Sequence, residues 1–219
     1  MIYLGDNWPE EYRGDLFTHN LHGHQLNREL LSRRDSAYLS SSHGQDTLYA
    51  DDKQYLAVDL KYGPDGSVYS IDWQDTQQCH VDDTARWDRT NGRLYRMSWK
   101  ETFEPVRVKD LASASEKQLL SALRHKNEWF SRMAQHQIRQ RAADKPISPE
   151  LATSLRSTVF DQTQLHRFRH LVALDGTGQL NQNDFTKLLK DTDETIRTHA
   201  LHLLTNQVVE QTRPHSDAL

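Results

Sequence analysis

The chain has 219 residues, 36% of them hydrophobic, and its 27 basic and 31 acidic side chains leave a net charge of −4. With an isoelectric point near 6.3 and no basic cluster, it lacks the electrostatic footprint of a nucleic-acid binder, and no apolar run approaches the ~20 residues of a membrane-spanning helix. A single cysteine, Cys79, excludes an intrachain disulfide and a Cys-x-x-Cys-His haem attachment site.

The two halves differ in kind. Residues 1–100 hold seven of the nine glycines and four of the five tryptophans, with 11 basic against 16 acidic side chains, a net −5. Residues 101–219 have 16 basic against 15 acidic, a net +1. Loss of glycine and aromatics predicts a β-rich part followed by a helical part, with the boundary near 98–105. Residues 1–14 carry neither the basic n-region nor the apolar h-region of a secretory signal.

In chain order, residues 1–100 read as short strands at 2–4, 14–18, 57–61, 68–72 and 93–97, separated by long polar loops. The run 55–62 alternates as a half-buried strand, and Gly63-Pro64-Asp65-Gly66 turns it back into 67–73. Thr90-Asn91-Gly92-Arg93 is a second turn. These hairpins have the pattern of β-propeller blades. A closed propeller needs roughly 4–8 four-stranded blades, and the residues before Trp99 hold one to two, so the expected fold is β followed by α: a partial β-propeller at 1–100, the end of something longer. A linker at 101–114 then leads into a short α-helical, HEAT-like segment at 115–205 and a flexible tail at 206–219.

The helical period begins at Ser115. Leu119, Leu120 and Leu123 form one apolar stripe, and Trp129, Phe130, Met133, Ala134 and Ile138 another. Ser148-Pro149-Glu150 is a helix start, with Ser as N-cap and Pro where its missing N–H is harmless. Further helices are expected at 164–174, at 184–190 and from Asp193 through Val208. Residues 123–136 and 189–202 match at an offset of 66, as repeated helix pairs do.

Several constellations could carry chemistry. His19-Asn20-Leu21-His22-Gly23-His24 is the densest: imidazoles at i, i+2 on a strand share a face and suit a metal or a proton-transfer pair, while a polar loop with histidines bonded to carbonyls fits the same residues. Asp72, Asp75, His80, Asp82, Asp83, Asp88 and Arg89 offer clustered carboxylates for Ca²⁺ or a carboxylate beside an imidazole; a solvated acidic loop is the alternative. Cys79-His80 is an adjacent pair that could contribute to a metal site or be an ordinary loop. At 175–184 an EF-hand register would place Ala173, which cannot ligate, at the first position, so this stretch reads as a link between helices. His166 and His170 lie at i, i+4, but Arg167 stands where a zinc protease needs Glu. Asp193 and Arg197 suit a cap or an interhelical ladder.

Tyr3-Leu4-Gly5-Asp6-Asn7-Trp8-Pro9, the histidine-rich run at 19–24, Gly63-Pro64-Asp65-Gly66-Ser67-Val68-Tyr69, Asp72-Trp73 and the run at 88–96 together resemble the end of the propeller in planctomycete-type membrane-bound dehydrogenases. Those proteins are similar to sorbosone and quinoprotein sugar dehydrogenases and often continue into HEAT-like helices and a c-type cytochrome domain. The resemblance covers residues 1 to about 205. It implies oxidation of a sugar or alcohol by a periplasmic or cell-envelope enzyme, with pyrroloquinoline quinone and Ca²⁺ as cofactors of the complete protein and earlier blades as partner. His22 or His24 is then the candidate base, Asp72 the group that orients it, and Arg89 the cation that steadies an anionic group. Asn20 and Trp73 are candidate cofactor contacts, and Asp72, Asp75 and His80 the candidate metal ligands. A chain with so few blades is expected to be inactive alone. The competing expectation is a non-enzymatic module whose propeller edge and helices bind a protein or a polysaccharide.

Overall fold

The computed structural model describes residues 1–34, 37–77, 82–106 and 110–212. Among them are two antiparallel sheets followed by six α-helices, and neither sheet closes into a barrel. The chain divides into two compact units: Met1–Val108 with Lys126–Trp129, and Lys109–His125 with Phe130–Leu219.

In the first unit one sheet is a meander of β1 (Leu16–Asn20), β2 (Gln25–Arg34) and β3 (Ala37–His43), with the short β4 (Leu48–Tyr49) also on β2. The other is a meander of β5 (Ala57–Tyr62), β6 (Val68–Asp72) and β7 (Arg93–Met97). The expected strands at 57–61, 68–72 and 93–97 are present, but the span 25–49, expected as polar loop, supplies three strands. Its period is broken because the register of β2 on β3 shifts between Leu30 and Leu31, so the two adjacent leucines defeat simple alternation. The expected strand at 2–4 is reduced to one bridge, Ile2 to Leu16, and β1 starts two residues later than expected, after Gly14 at φ +95°.

Gly63 to Gly66 forms the expected turn. Gly66 N–H donates to the Gly63 carbonyl at 3.0 Å, and Asp65 accepts from Ser67 N–H and from the Tyr69 hydroxyl. Gly66 has φ +71°, and a Cβ there would lie 2.4 Å from the Asn7 nitrogen, so glycine is required twice over. Tyr3 is the hub of this end: its hydroxyl donates to the Gly66 carbonyl and accepts from the N–H groups of Asn7 and Trp8. Tyr3, Phe17, Leu26, Leu60 and Val68 form the core with Trp8. Trp8 stacks on Tyr3 at 5.0 Å and meets Phe17 edge-on at 5.2 Å.

The second unit is helical. After a single 3-10 turn at Leu111–Ser113 come α1 (Glu116–Ala122), α2 (Glu128–Asp144), α3 (Pro149–Phe160), α4 (Arg167–Asp175), α5 (Gln182–Leu188) and α6 (Glu194–Thr212). Ser115 and Gln118 close a capping box on α1, and Ser148 accepts from Leu151 N–H at the start of α3. Leu119, Leu123, Ile138, Leu155, Leu171, Leu174, Leu188 and Ile196 are fully buried in one aliphatic core. The offset of 66 has a structural counterpart in matching caps: Asn127 accepts from Trp129 N–H and Asp193 from Thr195 N–H. Helix α6 continues past 205, where the tail was expected to begin; the first proline that could break it is Pro214.

Candidate functional site

The β1–β2 turn, the segment after β4 and the end of β6 meet at one end of the first unit. His24 occupies the turn with φ 51°, and its own carbonyl accepts from Ala50 N–H at 2.8 Å. Its Nδ1 lies 2.9 Å from the Tyr55 carbonyl. A carbonyl only accepts, so Nδ1 carries the proton and Nε2 of the neutral ring keeps its lone pair. His24, Tyr49, Asp51, Asp52, Lys53, Leu56, Asp75 and Thr76 line a cleft of about 360 Å³. Three carboxylates against one ammonium make its field negative.

Asp72 supports this cleft without lining it. It is 3% exposed, and its Oδ1 accepts from Leu56 N–H at 2.8 Å and Gln74 N–H at 2.9 Å, fixing the chain on both sides. Gln74, at φ 52°, donates from Nε2 to Asp52 at 3.0 Å, while its Oε1 is buried with no partner. That bond, with a second from Gln54 N–H, holds the Asp52 carboxyl below the usual carboxylate range. Asp75 is 4% exposed and accepts from Gln77 N–H at 3.0 Å and Asp88 N–H at 3.1 Å.

The remaining expected residues scatter. Asn20 closes the turn by accepting from Gly23 N–H at 2.8 Å, and His22 points from an exposed position on that turn, not from a strand. The two histidines therefore do not share a strand face, because the chain leaves β structure after Asn20. Trp73 is partly exposed beyond β6, and Arg89 stacks over Trp87 at 5.1 Å. His80 and Cys79 lie outside the described residues. Among the described residues no three His, Cys, Asp or Glu side chains are placed to hold one metal ion.

Within the histidine-rich run, sequence reasoning gave His22 and His24 the role of base and did not foresee that His19 meets Ser70. His19 Nε2 lies 2.9 Å from the Ser70 hydroxyl, its ring meets Tyr55 edge-on at 6.0 Å, and burial pushes its pKa down. Burial also raises the Tyr55 phenol to about 12. The signal was available: His19 lies two residues from Phe17, on the inward face of β1. In the second unit, Asp184 of the calcium-loop reading is paired with Arg156 at 2.7 Å, so it anchors α5 to α3. Asp175 is half-buried at the end of α4, and Asp193 and Arg197 bind backbone groups at the start of α6.

Residues 1–101 match a family described as a domain of unknown function (DUF7133). No curated protein and no solved structure matches the chain. No described helix is long and apolar enough to cross a membrane.

Proposed function

We propose that the first unit is part of a β-propeller of the sugar- or alcohol-oxidising kind, and that its polar cleft receives a hydroxyl-bearing ligand. The observation that carries this reading is His24: its Nδ1–H is engaged by the Tyr55 carbonyl, which leaves Nε2 as a proton acceptor on the wall of the cleft. Asp51 and Asp52 supply acceptors for ligand hydroxyls. Two successive antiparallel meanders, each with its own polar loop end, support the partial-propeller part of the reading. The helices after them fit the HEAT-like continuation.

An anionic quinone does not suit this cleft, since three carboxylates repel it, and a calcium ion does not suit it because both oxygens of Asp75 already accept backbone amides and Asp72, whose Oδ2 is buried without a partner, does not line it. No step is therefore routed through either group. What this chain contributes under the proposal is recognition of the hydroxyl compound and acceptance of its proton.

A second reading, a protein-interaction module, is favoured by one observation. Val58, Ile71 and Leu94 are at least 49% exposed on neighbouring strands β5, β6 and β7 and form an apolar strip. Another sheet packed on that strip, whether a further propeller blade or a partner protein, would bury it.

Thermal midpoints separate the two readings, because a ligand stabilises the state it binds. The chain is titrated with free sugars and polyols, with and without Ca²⁺ and pyrroloquinoline quinone. A rise with one of the sugars that disappears in His24→Gln and Asp52→Asn supports the ligand cleft. No shift with any of them removes that reading and leaves the interaction module.

A further inference from the structure

Three steps in the chain set an acid or its amide directly before glycine: Asp65-Gly66, Asn91-Gly92 and Asp175-Gly176. At such a step the glycine nitrogen can attack the side-chain carbonyl of the residue before it, because no Cβ hinders the approach. The attack needs a nitrogen that can lose its proton to solvent and is not held in place. The fold denies this to two of the three. Gly66 N–H donates to the Gly63 carbonyl at 3.0 Å, and both Asp65 oxygens are occupied, by Ser67 N–H at 3.1 Å and by the Tyr69 hydroxyl at 3.0 Å. Gly176 N–H donates to the Val172 carbonyl at 3.1 Å and so closes the end of α4.

Gly92 differs. Its N–H has no acceptor among the described residues, and it is exposed. It lies in neither helix nor strand, between Thr90, whose N–H is held by Asp88, and the start of β7 at Arg93. Both Asn91 oxygens, main-chain and side-chain, accept from the Arg93 guanidinium. A cation on the side-chain oxygen draws electron density from Cγ and stabilises the charge that this oxygen gains during attack. We infer that Asn91 is a site of spontaneous covalent modification, deamidation through a cyclic imide. The Gly92 nitrogen bonds to Asn91 Cγ, the Cγ–Nδ2 bond breaks, and Nδ2 leaves as ammonia with the proton that Gly92 gives up. Water then opens the imide at either carbonyl, giving aspartate or isoaspartate. Either product is a carboxylate beside Arg93, and isoaspartate also lengthens the main chain by one methylene just before Arg93 pairs with Asp72.

In the test the full chain is warmed in mildly alkaline buffer, with and without urea, and its chymotryptic peptides are mapped by mass spectrometry. Isoaspartate is located by enzymatic methylation of the same peptides. The expected result in the native chain is conversion of the peptide holding Asn91 into an aspartate and isoaspartate pair, with Asp65 and Asp175 unchanged. Gly92→Ala should slow the conversion about tenfold or more, equal to about 1.4 kcal/mol of barrier. Alanine fits at this position, because a Cβ would meet nothing nearer than the Asp72 carbonyl at 3.8 Å and φ lies outside the left-handed region, so the thermal midpoint should hold. Asn91 that stays intact in the native chain while it converts in urea, isoaspartate that forms as fast at Asp65 or Asp175 in the native chain, or a Gly92→Ala chain that converts at the original rate overturns the assignment.

Discussion

In the first unit polar side chains serve mainly the backbone, whereas in the second they serve the ends of helices and the joins between them. Asp65, Asp72, Asp75 and Tyr3 each bind main-chain groups that short strands and long loops leave unpaired. Helices pair their own amides internally, so the second unit's polar side chains sit at caps, in ion pairs such as Arg156–Asp184 and Arg167–Asp191, and on carbonyls between elements, as Arg141 and Arg169 do. The difference follows from the obligation of every buried N–H and C=O to find a partner. It also explains why candidate site residues concentrate in the first unit: the side chains that hold its loops are acids, amides and histidines that a ligand can use as well.

Breaking one of the ion pairs should have the largest effect. Arg167 and Asp191 have side chains only 6% and 7% exposed, and Arg167 also donates to the Val159 carbonyl. Asp191→Ala leaves a buried guanidinium half-satisfied and should destabilise the chain by about 3–5 kcal/mol in urea unfolding followed by circular dichroism. A loss under about 1 kcal/mol would mean that the aliphatic core alone holds these helices. In the first unit the matching change is Tyr3→Phe, which leaves the N–H groups of Asn7 and Trp8 and the Gly66 carbonyl without their common partner. At about 1 kcal/mol or more for each orphan, the expected loss is roughly 3 kcal/mol.

The helical unit was the more legible from sequence. Its caps, Ser115, Ser148 and Asp193, and its apolar stripes act locally, within a turn or two of chain. The β unit was legible only where a turn is self-contained, as at Gly63 to Gly66. Strands β2 to β4 were missed because their pairing is non-local and a register shift hides the alternation. Of the residues lining the polar cleft, His24 and Asp75 are among those that the density of polar residues had brought forward as candidates. Asp51 and Asp52 were not, because only the fold brings 49–56 beside 75–76. The misplacement of His22 has the same origin: a strand was extended through a stretch that turns.

Acid should act through buried histidines in both units, more simply in the second. Burial pushes His170 below its ordinary value near 6.5, and its Nδ1 lies 3.0 Å from the His166 carbonyl. Below pH 6.5 the unfolded chain takes up this proton before the folded one does, so stability is level above 6.5 and falls as pH drops toward the folded pKa. His199 adds a shift of the same sign. In the first unit His19 does likewise, but the hydrogen bond that His43 donates to the Glu29 carboxylate raises His43. That contribution is complete below 6.5 and is lost as pH rises through the folded pKa, so it opposes the loss from His19. Thermal midpoints between pH 7.5 and 5.5 should therefore fall, and His170→Asn, which keeps a donor near the position of Nδ1, should flatten that fall. An unchanged slope in the variant would assign the acid sensitivity to other groups.

The smallest effects compare one cap from each unit. Ser148 accepts from Leu151 N–H at 3.1 Å and its hydroxyl donates to Glu116 at the start of α1, so it joins two helices as well as starting one. Asp83 accepts from Ala85 N–H at 3.1 Å in a single turn with no buried residue. Ser148→Ala should cost about 1–2 kcal/mol and Asp83→Ala no more than about 0.5 kcal/mol, read as shifts in the urea midpoint at constant slope. The gap tests the comparison itself: if local caps were all alike, the two losses would be equal, whereas a cap embedded between helices must cost more than one on a solvated loop. A loss at Asp83 as large as that at Ser148 would mean that the loop between β6 and β7 is held as firmly as the helical core, and that the acids along it are structural before they are anything else.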